Sequence, residues 1–293
     1  MSLPTPYDGS ARLFQIGLKP LDGTEWIDVD ETLAAQLAEK RHILAAHPAE
    51  TFMVEPGTEA SQAELLHLLA DHLPARFPAV YRKQGNSIAI LPTGDKVDLA
   101  KGPALLTAAL LVPEDLVILR KSGAGWRLVA AALAFPSSWV LAEKFGRPMH
   151  EIHAAVPGFG PGTRPAQLIE RMFDNMRPET PMIRWNWSPY GDDRLYHPDS
   201  LGPQTRRFDA AMANIFLRVE RQTLRRLPQS GDIVFTIRIH LDPLATLEAQ
   251  PDAGRIAAAL ADQLLALDAA QLDYKGLTLE RDRLVARLRR IAY

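Results

Sequence analysis

Residues 215 to 243 constrain the fold more than any other part of the chain. Leu217, Val219, Arg221 and Thr223 alternate with Arg218, Glu220 and Gln222, and Pro228 to Asp232 turns the chain. Ile233, Phe235, Ile237 and Ile239 then form an apolar face opposite Val234, Thr236, Arg238 and His240, until Asp242-Pro243 ends the run. A period of two in both segments predicts a long antiparallel hairpin. Burying each apolar side chain is worth about 1.5–3 kcal/mol, so the isoleucine face must pack on a core. The polar face is expected to line solvent or a cavity.

A second hairpin is predicted upstream. Leu116 to Arg120 reads as a strand, Ser122 to Gly125 as a loop, and Trp126 to Phe135 as a buried strand stopped by Pro136. Ser137 or Ser138 is expected to cap a short helix over Trp139 to Phe145 that Gly146 ends. A helix over Ala166 to Met176 follows. Met182 to Ser188 alternates, with Arg184, Asn186 and Ser188 on one face and Trp185 and Trp187 on the other. Residues 191 to 208 are polar and irregular, a surface excursion or a partner-binding loop.

Towards the N-terminus, Phe14, Ile16 and Leu18 alternate in an extended segment. Asp30 is placed to cap a helix over Glu31 to His47, and a second helix covers Ala60 to Leu73, ended by Pro74 and Pro78. Tyr81 to Leu91 reads as extended. The C-terminus carries helices over 254–270 and 279–291. A hairpin, then helices, then more antiparallel strands is the element order of a PAS-like fold, though other α+β folds share it. The expected class is α+β: a PAS-like antiparallel sheet with flanking helices, core about 80–245, in one domain spanning 1–293 with helical additions at both ends.

Composition narrows the chemistry. The 293 residues include no cysteine, which excludes disulfides, thiolate-ligated haem and all-cysteine iron–sulfur clusters. The formal net charge of -2 and the lack of a basic patch argue against nucleic acid as a partner. No apolar run reaches the roughly 18–20 residues of a membrane span. Met1 to Ser10 have neither a basic start nor a hydrophobic core, so no signal peptide is expected and the cytoplasm is the expected location.

One histidine stands out. His153 is followed by Ala154, Ala155, Val156 and Pro157, small neighbours beside which an imidazole can approach a flat ligand, as an axial haem ligand does. The competing reading is a core histidine bonded to backbone. The run from His150 to His153 resembles a zinc-protease motif but fails on spacing, because the histidines are three apart rather than four.

Several phrases resemble the haem-dependent oxidative N-demethylase α-subunit family: Phe135-Pro-Ser-Ser-Trp139, Glu143-Lys-Phe-Gly-Arg-Pro148 and Ile152-His-Ala-Ala-Val-Pro157. So do Tyr81-Arg-Lys-Gln-Gly85, Glu114-Asp115-Leu116, Arg184-Trp-Asn-Trp187, Leu217 through Pro228 and Tyr274-Lys-Gly-Leu277. The resemblance covers most of the chain, and the Arg218 to Pro228 phrase is its most specific part. It implies a PAS-like domain that binds haem b and oxidises a small secondary amine such as dimethylamine with O2. It also implies a separate reductase with NADPH, FMN and [2Fe–2S] sites.

Under that resemblance His153 is the expected iron ligand, with His150 in reserve. The two propionates of haem need cations, and Arg184, Arg221 and Arg238 lie on adjoining predicted strands. That Glu220 and Arg221 instead pair with other side chains in a structural network is the equal alternative. A cationic amine needs a carboxylate, an aromatic face or oriented dipoles. Asn186, Trp187 and Tyr190, with Trp185 and Glu143, are candidates for the substrate side. The alternative functions are a haem-binding gas or redox sensor without amine turnover, and a haem-free structural subunit in which His153 only packs.

Overall fold

The computed structural model describes residues 5–198 and 208–292. The N-terminal part holds β1 (Lys19–Pro20), α1 (Leu33–Ala46), α2 (Pro48–Thr51), β2 (Phe52–Val54) and α3 (Glu59–Arg76). Next come β3 (Tyr81–Gln84), β4 (Ser87–Ile90), β5 (Asp95–Asp98) and α4 (Ala104–Ala109). The central part holds β6 (Asp115–Ser122), β7 (Gly125–Ala132), α5 (Leu141–Lys144), α6 (Met149–Ile152), α7 (Arg164–Asp174), β8 (Met182–Tyr190), β9 (Phe216–Arg226) and β10 (Ile233–Pro243). Helices α8 (Leu244–Glu248), α9 (Ala253–Leu265), α10 (Ala269–Lys275) and α11 (Arg281–Ala292) close the chain. The fold is α+β.

Seven strands form one sheet in the order β1-β8-β9-β10-β6-β7-β2, and β3-β4-β5 form a separate three-stranded sheet. Both expected hairpins are present. β9 pairs with β10 from Phe216 opposite Pro243 to Arg226 opposite Ile233, and β6 pairs with β7 through a register shift at Ile118/Leu119. Residues directly opposite one another share a face. One face, here the near face, therefore carries Trp185, Trp187, Val219, Arg221, Thr223, Thr236, Arg238 and His240. The far face carries Arg184, Asn186, Ser188, Tyr190, Arg218, Glu220, Gln222 and the isoleucine row of β10.

Both faces are covered, and this corrects the expectation for β10. Arg238 is 0% exposed and His240 5%, because the segment from Trp26 through α1 lies over them. Two apolar clusters result. The larger joins β6, β7, β10, α1, α3 and α4; the smaller joins Trp187, Leu217 and Val219 to α8, α9 and α11.

Local expectations fail where tertiary contacts outweigh propensity. α3 continues through Pro74 to Arg76, since a proline in the last turn forfeits only one backbone bond. The Tyr81 to Leu91 segment folds back on itself, because Gly85 adopts φ 60°. Neither Ser137 nor Ser138 caps α5, which starts only at Leu141 with no side-chain cap. Ser137 Oγ instead accepts from Arg218 Nε at 2.8 Å, and Ser138 Oγ lies 3.0 Å from the Tyr190 hydroxyl. The 191–208 stretch is not wholly a surface excursion: Leu195 and His197 are 5% exposed, and the Leu195 carbonyl accepts from Arg218 at 3.0 Å. Residues 199–207 of that stretch lie outside the described residues.

Candidate functional site

Asp115, opening β6, fixes the corner from which the His153 segment leaves the sheet. Its two carboxylate oxygens accept from the Ala134 and Phe135 amides, each at 2.8 Å, and Lys40 Nζ lies 3.8 Å away. Lys40 also donates to the carbonyls of Val112 at 3.0 Å and Glu114 at 2.5 Å. Arg218 holds the other side of the corner, donating to Ser137 Oγ and to the carbonyls of Phe135, Arg194 and Leu195. Together these bonds account for the buried Asp115 and Arg218, while the Glu114 carboxylate accepts from the Asp28 amide at 2.9 Å.

The segment then returns to β7. Gly146 N donates to the Leu128 carbonyl at 2.8 Å and Leu128 N to the Arg147 carbonyl at 3.2 Å. Gly146 has φ 75°, the left-handed conformation that ends α5 and needs glycine. The single turn α6 follows, and His153 is its C-terminal cap. The His153 ring is half-buried, edge-on to Phe159 at 6.4 Å between centroids. Neither ring nitrogen makes a hydrogen bond to the described residues. A core histidine bonded to backbone is therefore not what the structure contains. Burial, then the charges of Arg184 and Lys144, hold its pKa down at about 4, so the imidazole is neutral at pH 7. Ala154 and Ala155 are exposed beside it.

Arg184 shares this environment from the far face. Its Nη1 donates to Gln222 Oε1 at 3.1 Å and its Nη2 to the Gln15 carbonyl at 3.3 Å. Its Nε is buried with no acceptor among the described residues. Burial lowers its pKa from the ordinary arginine value, opposed by Glu220. The neighbouring far-face residues Asn186, Glu220 and Phe235 are half-buried, so this end of the sheet stays partly open. Towards Ser188 and Tyr190 the same face is closed.

The seven nominated residues separate. Arg184 and Asn186 belong to the half-open end of the far face, and His153, on the α6 turn, lies near enough to Arg184 to feel its charge. Tyr190 lies on that face but at its closed end, 1% exposed under the Arg218 guanidinium, whose carbon is 5.5 Å from the ring centroid. Trp187 is on the near face, 1% exposed, edge-on to Tyr7 at 6.3 Å, with its indole N–H 3.4 Å from the Ala11 carbonyl. Arg221 donates to the carbonyls of Glu25 and Trp26. Arg238 donates to Asp30 Oδ1 and Thr32 Oγ1, each at 2.8 Å, and to Gln36. The near-face arginines thus fasten the N-terminal segment to the sheet and are not brought to His153. Strand alternation puts Arg184 and Arg221 on opposite faces, which adjacency of the predicted strands could not reveal.

Lys275 was missed as a site residue. It is 5% exposed and reaches from α10 to Asn186 Oδ1 at 3.0 Å and the Trp187 carbonyl at 2.9 Å. The signal was present in the Tyr274-Lys-Gly-Leu277 phrase, but its contact spans 89 residues.

An imidazole-ligated porphyrin needs a neutral histidine with a free nitrogen and donors for its propionates. His153 offers the first, and the unpaired Nε of Arg184 the second. Arg238 also has an unpaired Nε, but that side chain is sealed at 0% exposure. No described group of three His, Asp or Glu side chains is arranged as a metal site, and no described helix is long and apolar enough to cross a membrane. A family model described as haem-dependent oxidative N-demethylase, alpha subunit-like, matches residues 17–285 of this chain, and the chain belongs to that family.

Proposed function

We propose that this chain binds haem b through His153 and oxidatively demethylates a small alkylamine of the dimethylamine type, using O2. Electrons come from a separate reductase carrying NADPH, FMN and [2Fe–2S] sites, in keeping with a chain that has no cysteine to hold a cluster. The observation that carries this reading is the neutral, unbonded imidazole of His153 beside a half-open sheet face that presents Arg184. When bound, haem supplies the one-electron and oxygen chemistry. The chain's own residues do the rest. His153 holds the group, and Arg184 takes a propionate. The Asn186 side of the far face borders the substrate.

The strand order β7-β6-β10-β9-β8, with α5–α7 between the first hairpin and the last three strands, supports reading 80–245 as a PAS-like core in a single domain. On this reading the cytoplasm, where the reductase would be met, is the working location.

The test is an absorption spectrum after haem reconstitution. The wild-type chain is expected to give a Soret band, and His153→Ala to lose or shift it. An unchanged band in that variant removes the ligand assignment. Formaldehyde release from dimethylamine with reductant and O2 separates an enzyme from a haem sensor.

A further inference from the structure

The half-open end of the far face has an ordered polarity. Four polar side chains form two cross-strand pairs there, Arg184 with Gln222 and Asn186 with Glu220. Arginine only donates, so its bond to Gln222 fixes that amide with Oε1 towards Arg184. Gln222 Nε2 is thereby aimed at Glu220 Oε2, 2.6 Å away. Lysine also only donates, so the bond from Lys275 turns Asn186 Oδ1 away from the face and leaves Nδ2 as the free end. Three of the four side chains therefore have their acceptor oxygens taken or have none.

Glu220 is the exception. One oxygen accepts from Gln222; among the described residues the other has no hydrogen-bond donor, and no cation lies within ion-pair distance. Arg184 feels the charge of Glu220 but makes no ion pair with it, its Nη groups being turned to Gln222 and to the Gln15 carbonyl. A half-buried carboxylate with a spare oxygen favours a ligand that brings positive charge and N–H donors.

We infer that Glu220 is the carboxylate that receives the ammonium group of the amine substrate, held in place by the Arg184–Gln222 relay. This rests on the reading of the face as an amine site and assigns its specificity: cationic small amines over neutral isosteres. Glu220 selects the charge, Gln222 positions the carboxylate, and Asn186 Nδ2 is left to donate to an acceptor atom.

Isothermal titration of the full-length, haem-reconstituted protein with dimethylammonium chloride tests this, with 2-propanol as the uncharged control. Glu220→Gln is expected to weaken dimethylammonium binding at least tenfold, with 2-propanol binding unaltered and the Soret band kept. Gln222→Met, which frees the carboxylate without removing it, is expected to weaken binding about threefold. Glu220→Asp should bind better than Glu220→Gln, since charge is retained. Dimethylammonium affinity in Glu220→Gln within twofold of wild type overturns the inference, as does wild-type protein that shows no saturable binding. If Glu220→Gln fails to fold, Gln222→Met decides instead: dimethylammonium affinity unchanged from wild type in that variant overturns the inference, and a loss of about threefold supports it. A missing wild-type Soret band counts against the haem reading alone, because the amine titrations of wild type and variants still compare.

Discussion

The two faces of β8–β10 carry the same kinds of side chain and use them differently. On the near face, Arg221 and Arg238 are buried and their Nη groups end on protein acceptors; His240 sits 3.1 Å from Asp28 and 3.6 Å from Asp30. On the far face, among the described residues, Arg184 keeps a buried Nε without an acceptor and Glu220 an oxygen without a donor, and near Arg184 the His153 ring makes no hydrogen bond. A buried charge must be paired or it destabilises the fold. Sealed groups at 0–6% exposure whose terminal nitrogens end on the N-terminal segment therefore mark architecture, although among the described residues Arg238 Nε and His240 Nε2 lack a hydrogen bond there too, while unsatisfied groups on a half-open face mark a place a ligand can reach.

The largest expected effect tests the near face. Arg238→Met strips Asp30 of its buried partner and should lower the free energy of unfolding by about 3–5 kcal/mol, read by urea denaturation. Arg184→Met should lower it by less than about 1 kcal/mol yet weaken haem retention. Equal destabilisation by the two changes would erase the distinction between the faces.

Acid titration gives a smaller effect. The His153 pKa, about 4 when folded, lies below the 6.5 of an ordinary histidine. The unfolded chain therefore takes up this proton first, and the group's contribution is lost as pH falls from 6.5 towards 4. Asp242, whose pKa burial raises to about 6, acts in the opposite direction, so only a difference is informative. The stability of His153→Ala is expected to fall less steeply with acid than that of wild type over this interval. Parallel curves would show that the ring is not desolvated.

The smallest effect concerns Trp187. Its replacement by Phe should cost about 1 kcal/mol through the weak indole N–H bond and lost packing. The Soret band should be unmoved, as expected for a near-face residue.

Much of the strand architecture was legible because it rests on local periodicity. The alternation of Leu217 to Thr223 and of Ile233 to Ile239 defines β9 and β10, and Trp126 to Pro136 defines β7 and its exit. Burial of the near-face polar row was not legible, since its partners Asp30 and Gln36 are about 200 positions away in sequence. Nor were the roles of Ser137 and Ser138, which fit a capping pattern but serve Arg218 and Tyr190. The site was half legible. His153 stood out by its small neighbours, but sequence could not sort Arg184 from Arg221 and Arg238.

By itself the sequence determined that the chain must form long antiparallel strands, and that without cysteine no thiolate can meet an iron. These follow from side-chain type and a period of two, which every residue carries locally. Tertiary structure alone decided which polar groups are satisfied. That depends on which segment covers which face, and segments as distant as Asp30 and Arg238 meet only after the sheet has formed.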